Sequence, residues 1–439
     1  MQSPSTEEPA RQSAWQWDGE ADGGAHEAAD VIGGGGDGPR PSRRRLLIGA
    51  GVLAAGGAAW AFGRTGADRT TPSPGPSRPP GPPPTALSGP QPVWTYRGPE
   101  PMTPERLVAP PKRPVFLSRA GLQVVDPATG SASRLVVVDP PESRSWPSDL
   151  STRSKVLLGP EHAFTTAFEG HLDARHLTDP SADWSLPLPD GLQPGPELTG
   201  YADGVLYGFS WGGYREDGQI ESRLFALRVA DRSLLWSVRS GRIEQPVAPA
   251  VAGGRVACVR SLGNRAELVV RDTADGRELW TGPGDEDLRW CTAGPDRVYV
   301  PDGGGGVRAL GSDGGRAWTH SPARGESWRA MPPVPDGPRV YVPRDDGLVT
   351  GHEAATGAVQ WTCRLPFLLD RRSHPVLAGT TLFVPGPAVG GVCAVDTATG
   401  RLLWTFRDSG PGKDVWTVAA DADRLYAGHD DVLHALPLH

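Results

Sequence analysis

From residue 93 to the C-terminus the apolar residues come in short bursts of strand length, each preceded by a polar turn. The bursts are Val115-Phe-Leu117, Ala163-Phe-Thr165, Val205-Leu-Tyr207, Val256-Ala-Cys258, Val298-Tyr-Val300, Val340-Tyr-Val342, Leu382-Phe-Val384 and Leu425-Tyr-Ala427. β-branched and aromatic residues bounded by turn residues predict strands. Between bursts a second pattern recurs, clearest in Ala394-Val-Asp-Thr-Ala-Thr-Gly-Arg-Leu-Leu-Trp404. Val392 to Val395 reads as a strand, Asp396 to Gly400 as a tight turn, and the residues up to Trp404 as a second strand. Asp bonds its own downstream backbone N–H groups, and Gly takes the φ > 0 position that closes such a turn.

The frame returns as Glu353 to Gly357 with Trp361, Asp272 to Gly276 with Trp280, and Asp313-Gly314 with Trp318. Trp236 and Trp184 end weaker copies, with Asp231-Arg232 and Asp179-Pro180 in the turns, while Asp126 to Gly130 leads to Arg134 in the Trp position. From residue 134 onward the spacings are 50, 52, 44, 38, 43 and 43 residues. A period near 43 is one four-stranded propeller blade. A flat side chain at one register of each hairpin suits packing between sheets that cannot bury their faces alone. The eight bursts predict eight blades, and Trp94 in Val93-Trp-Thr-Tyr96 supplies the eighth hairpin end. The chain finishes at Val432 to Leu436, a blade without its last strand. Val93 to Tyr96 is a last strand without a blade, so the two are expected to pair and close the ring. The expected fold class is all-β: an eight-bladed β-propeller of four-stranded antiparallel blades over 93–439.

These Ala-x-Asp-x-x-Thr-Gly-x-x-x-Trp repeats resemble those of the quinoprotein-like, or PQQ-repeat, eight-bladed propellers. That family includes dehydrogenases, lipoprotein scaffolds of outer-membrane assembly and the extracellular sensor domains of actinobacterial Ser/Thr receptor kinases. The resemblance implies the propeller fold and leaves the function open among these classes.

The N-terminal residues follow other rules. Residues 1–41 are polar, acidic and Gly-rich without apolar periodicity, which predicts a disordered cytoplasmic tail. Residues 46–62 carry no charge, and ten of these 17 are Gly or Ala. Preceded by Arg43, Arg44 and Arg45, the segment 42–64 reads as a transmembrane anchor with its N-terminus inside, or as a twin-arginine-like export signal. Residues 65–92 form a linker, with ten prolines among positions 70–92, which predicts an extended polyproline stalk. The expected location is the cell membrane, single-pass with the propeller outside, or the exterior after twin-arginine export.

Composition narrows the partners. A net charge of −7 with no basic stripe excludes nucleic acid as the expected ligand. Gly 58 and Pro 47 fit many turns plus unstructured segments. Quinone-dependent relatives are expected to show an adjacent cysteine pair and a Ca²⁺ site, but Cys258, Cys291, Cys363 and Cys393 include no such pair. No cofactor and no metal are therefore expected. The four cysteines leave two states open, disulfides outside the cell or buried thiols on strands. Gly208-Phe-Ser210-Trp-Gly212 matches the G-x-S-x-G hydrolase signature, yet strands on both sides do not make the strand-to-helix elbow which that motif requires. Gly303 to Gly306 lacks the Lys-Ser/Thr of a phosphate loop and reads as a hairpin tip. His171 and His176, like His434 and His439, are expected on loops or the surface. Kinase motifs are absent from the sequence.

The expected function is a non-enzymatic, membrane-anchored binding, sensing or scaffold module with a protein or cell-envelope ligand. An exported quinone-dependent dehydrogenase and the sensor half of a split kinase system are the alternatives. Excess repeat length at Val138 to Lys155 and Ser210 to Arg223 predicts insertion loops, with Trp146, Trp211 and Tyr214 as candidate partner contacts.

Overall fold

The computed structural model describes residues 87–99, 102–108, 114–118, 121–136, 156–166, 170–189, 191–192, 196–214, 220–240, 244–261, 266–282, 288, 290–410 and 412–438. The chain divides into two compact units, Met1–Ser77 and Arg78–His439, and all described residues belong to the second.

Each predicted burst is the second strand of a four-stranded antiparallel sheet. In chain order the first sheet is Met102–Val108, Val115–Ser118, Gly121–Val125 and Ala132–Val136. The second is Leu157–Leu158, His162–Thr166, His171–His176 and Trp184–Pro187. The third is Pro196–Ala202, Val205–Tyr214, Ile220–Arg228 and Ser233–Ser240, and the fourth is Glu244–Ala252, Arg255–Ser261, Ala266–Asp272 and Glu278–Gly282. The fifth is Thr292–Ala293, Val298–Pro301, Val307–Leu310 and Arg316–His320, and the sixth is Val334–Asp336, Arg339–Pro343, Leu348–Glu353 and Val359–Arg364. The seventh is Val376–Ala378, Thr381–Pro385, Val392–Asp396 and Leu402–Phe406. The eighth is Thr417–Ala420, Arg424–His429 and Val432–Pro437, completed by Trp94–Arg97 from the other end of the chain. That last pairing is antiparallel, with Trp94 opposite Ala435 and Arg97 opposite Val432, as the strand pattern predicts.

Buried side chains lie between sheets. Phe164 and Leu172 of the second sheet pack with Leu206 and Phe225 of the third. Ala257 and Val270 of the fourth pack with Val298 and Val300 of the fifth, and Phe383 and Val392 of the seventh with Leu425 and Ala427 of the eighth. The series returns on itself where Tyr426 and Leu433 of the eighth sheet meet Val125 of the first. This is a β-propeller of four-stranded antiparallel blades, in which each sheet buries both faces against its neighbours.

The repeat's Trp and Gly explain the spacing between blades. Trp94 Nε1 donates to Pro127 O at 2.8 Å, Trp236 to Thr273 O at 2.8 Å, Trp318 to Ala354 O at 2.9 Å and Trp361 to Thr397 O at 2.9 Å. Each Trp therefore reaches into the Asp–Gly turn of the next blade, and the Gly of that turn lies under its ring. A Cβ on Gly400 (φ +70) would stand 2.5 Å from the ring of Trp361, so both the backbone angle and the contact require glycine. Asp396 Oδ1 accepts from the N–H groups of Ala398 and Thr399 at 3.1 and 2.7 Å, fixing the turn. A bulge precedes the turn at Val124/Val125, Ala226/Leu227, Val270/Arg271, Ala309/Leu310, Gly351/His352 and Ala394/Val395. The extra residue re-aims the chain into the turn. Arg134 does the work of the missing Trp by another route: its guanidinium donates to His176 O and, at 3.2 Å, to Asp183 Oδ2 of the second blade.

Three expectations need correction. Ser210 to Arg223 is not a loop inserted between short strands. Trp211 pairs with Ser222 and Tyr214 with Ile220, because the extra residues lengthen two hydrogen-bonded strands. The linker does not run free to residue 92, since Leu87 and Ser88 add in parallel to the edge strand Leu402–Phe406 opposite Trp404 and Thr405. The expectation that His434 is a loop or surface residue also fails, because it is a buried residue of the strand Val432–Pro437. Among the described residues no helix is long and apolar enough to cross a membrane. The expected span 46–62, with Arg43, Arg44 and Arg45, lies outside those residues, as does Trp146.

A buried histidine sets an acid limit on the fold. His352 is fully buried, stacked on Trp318 at a centroid distance of 5.7 Å, with Nδ1 3.0 Å from Gly357 O and Nε2 2.8 Å from Thr350 Oγ1. Burial pushes it down to about 4, with the Gly357 carbonyl opposing and His320 assisting. The unfolded chain takes up this proton near the ordinary value of about 6.5. The stability contributed is therefore complete above that pH and lost as pH falls toward 4. We expect His352→Gln to lose about 2–3 kcal/mol less than the unsubstituted protein between pH 7 and pH 4.5 in urea unfolding. Equal losses in the two proteins would refute this assignment.

Candidate functional site

Antiparallel connectivity divides the turns between two faces. One face carries the Asp–Gly turns, and the other carries the turns between second and third strands together with the blade-to-blade connections. On that second face the seventh and eighth blades meet the incoming N-terminal segment, around a cavity of ≈ 440 Å³. Its lining includes Ser88, Gln91, Thr405, Arg407, Asp408 and His434.

Asp408, His429 and His434 converge beside this cavity. Asp408 follows the seventh blade's edge strand, and its Oδ1 accepts from Gly410 N at 3.1 Å, leaving Oδ2 directed inward. His429 Nε2 lies 2.9 Å and His434 Nε2 3.2 Å from that same Oδ2. The two histidines meet through a two-residue hairpin. His429 pairs with Val432 and Ala427 with His434, so residues 429 and 434 share a sheet face as diagonal neighbours. Their other nitrogens are also engaged, His429 Nδ1 2.8 Å from Asp430 Oδ2 and His434 Nδ1 2.9 Å from Thr95 Oγ1. Trp416, fully buried, lies 4.1 Å from His429 between ring centroids and fixes its orientation. Burial pushes the Asp408 carboxyl up, but its hydrogen bonds to His429 and His434 outweigh that and hold it below its ordinary value. Burial pushes His434 down against the pull of Asp408.

The other chemistry-bearing residues serve packing. Ser210 is fully buried in the strand Val205–Tyr214, with its hydroxyl 3.5 Å from Gly191 O, so the hydrolase-like motif makes no exposed nucleophile. Cys258, Cys291, Cys363 and Cys393 are free thiols in the interblade cores. Burial pushes Cys291 and Cys393 up to about 12 and Cys363 up to about 11. Glu244, at 0% exposure, binds Arg271 through Oε1–Nε at 2.5 Å and Oε2–Nη2 at 3.0 Å, and Arg260 Nε at 3.0 Å. Arg260 continues to Glu267 at 3.1 Å and Glu278 at 2.6 Å. Burial works against the charged form of Glu244, but the two guanidinium groups prevail and lower its pKa. Of the residues singled out in the sequence, Trp211 and Tyr214 stand on the third blade's long hairpin. Asp408 and His429 were not legible as a site.

A family model described as outer membrane protein assembly factor BamB, of the PQQ_2 repeat type, matches residues 132–311 and 303–436. The chain belongs to this family. Among curated proteins none matches the sequence. Of solved structures, BamB from Moraxella catarrhalis is similar at 17% identity and TM-score 0.46, over 65% of this chain and 84% of that one. The computationally designed Ika8 protein is similar at 15% identity and TM-score 0.56, over 79% and 100%. Quinohemoprotein alcohol dehydrogenase ADHIIG from Pseudomonas putida HK5 is similar at 10% identity and TM-score 0.51, over 80% and 77%. At such identities the likeness concerns the fold alone. The residues of this PQQ-repeat chain do not fit the quinone that gives the repeat its name. Each thiol is enclosed between blades, and no two cysteines are adjacent in sequence to form the pair over which a quinone would stack.

Proposed function

We propose that this BamB-like chain is a non-enzymatic, membrane-anchored binding or scaffold module, a closed eight-bladed ring held outside the membrane by residues 46–62 and the Pro-rich segment after them. Ring closure is supported by the interblade clusters, which run through eight sheets in chain order and return from the eighth to the first. The single observation that carries the binding role is the third blade's middle hairpin. Its strands have 10 and 9 residues, against 4 to 7 for the corresponding strands elsewhere. The excess of at least two residues per strand extends it by roughly 7 Å or more. A blade's own packing does not require that length. The long hairpin arises on the face that also carries the Asp408 cluster.

The partner is a protein or cell-envelope component that meets Trp211 and Tyr214, aromatic residues suited to large contact area at low entropic cost. The test is binding of the purified protein to isolated cell envelopes. Trp211→Ala with Tyr214→Ala is expected to reduce binding at least tenfold with an unchanged melting temperature. Undiminished binding, or dye-linked dehydrogenase turnover on adding PQQ and Ca²⁺, would overturn the proposal. Protease added to intact cells is expected to digest the propeller while sparing residues 1–41, and a protected propeller would refute the anchored topology.

A further inference from the structure

We propose that Asp408, His429 and His434 form a binding site for one divalent transition-metal ion of the zinc class. Two features of the cluster support this, and neither depends on the partner-binding role proposed above.

The first is convergence. Two imidazole Nε2 atoms approach a single carboxylate oxygen at 2.9 and 3.2 Å. Ligands about 2.0–2.2 Å from a tetrahedral zinc stand roughly 3.3 Å from one another, so both Nε2–Oδ2 distances lie within a few tenths of an ångström of that spacing, and all three donor atoms fall within 4.8 Å of one another. The second is the outer shell. Metal-bound histidines characteristically give their second nitrogen to a carboxylate or other fixed acceptor. Here Asp430 and Thr95 occupy those places, and Gly410 N holds the second oxygen of Asp408.

Two imidazoles and a carboxylate suit zinc and its neighbours better than Ca²⁺ or Mg²⁺, which take all-oxygen shells. Three protein ligands leave a fourth position, and a cavity of ≈ 440 Å³ is lined by both Asp408 and His434. The ion would also join the seventh blade's exit loop to the two central strands of the eighth, the blade that the N-terminal strand completes. Metal binding and closure of the ring are thereby linked.

The full-length protein, stripped with EDTA and dialysed, is titrated with Co²⁺ as a spectroscopic probe and then with Zn²⁺ in competition. We expect one equivalent of Co²⁺ to give ligand-field bands typical of four-coordinate cobalt, and Zn²⁺ to abolish them and raise the melting temperature. Asp408→Asn, nearly isosteric and at a partly exposed position, is expected to weaken Zn²⁺ binding at least a hundredfold, and Asp430→Asn 10- to 100-fold. His171→Gln, at an exposed position, serves as the control and should leave binding unchanged. Absence of the cobalt bands, or equal Zn²⁺ affinity and equal thermal shift in Asp408→Asn, would overturn the site.

Discussion

A chain beginning at residue 98 is expected to melt roughly 10–20 °C below one beginning at residue 87, or to lose its cooperative transition altogether. The shorter chain lacks the fourth strand of the eighth blade. Four residue pairs with the strand Val432–Pro437 disappear, and with them the Trp94 hydrogen bond to Pro127 and the Thr95 and Arg97 contacts to His434 and Asp431. Trp94 and Tyr96 also leave the cluster that joins the eighth blade to the first. Truncating one well-packed Trp costs about 3–5 kcal/mol, and the strand hydrogen bonds add to it. Domain stabilities are about 5–15 kcal/mol in total. The shorter chain also turns the strand Val432–Pro437, otherwise paired on both sides, into an edge strand. Circular dichroism melts of the two chains decide the matter, and coincident curves would show that closure contributes little.

How much of this was legible beforehand depends on the range of the interaction involved. The second strand of a blade is a local pattern of apolar residues after a turn, and each predicted run lies in a strand where the sequence places it. The Asp–Gly turns are equally local, because Asp396 bonds N–H groups only two and three residues ahead. The Trp register was readable as interblade packing, although its partner carbonyl, some 36 residues away for Trp318 and Trp361, was not. Arg134 shows why: guanidinium and indole share no pattern in sequence, yet both deliver N–H donors into the next blade's turn region.

The third blade was misread for a related reason. Repeat length reveals that residues are added, but only backbone pairing decides whether they form a loop or longer strands. The Asp408 cluster was hidden by two non-local steps. A spacing of five between His429 and His434 suggests nothing on a single strand. It brings them to one face only because Asp430-Asp431 makes a two-residue turn between paired strands. Asp408 then arrives from the preceding blade, and Thr95 from more than 300 residues earlier in the chain. The Asp-Asp dipeptide between two apolar runs was the available signal, since it marks a tight hairpin whose register could have been counted.

Replacing Glu244 by Ala is expected to cost about 3–5 kcal/mol, the usual consequence of removing one member of a buried ion pair. The cost does not measure the attraction itself. Glu244 is wholly buried and Arg271 nearly so, with a side-chain exposure of 6%. Arg271 would retain Gly276 O at 2.9 Å and a 3.8 Å approach to Glu278, neither of which replaces two short bonds to a carboxylate. Arg260 is less affected, because Glu267 and Glu278 remain beside it. The substitution also removes the hydrogen bond from Ser240 Oγ to the Glu244 carboxylate, which joins the third and fourth blades, while the bond from Glu244 N to Ser222 Oγ remains. The asymmetry between losing one charge and losing both supplies the test. Replacing Glu244 and Arg271 together by Leu and Met should recover much of the stability, since no unpaired charge is then left in the core. If urea unfolding shows the double variant losing the sum of the two single losses, the two residues act independently and the buried pair is not the source of the effect.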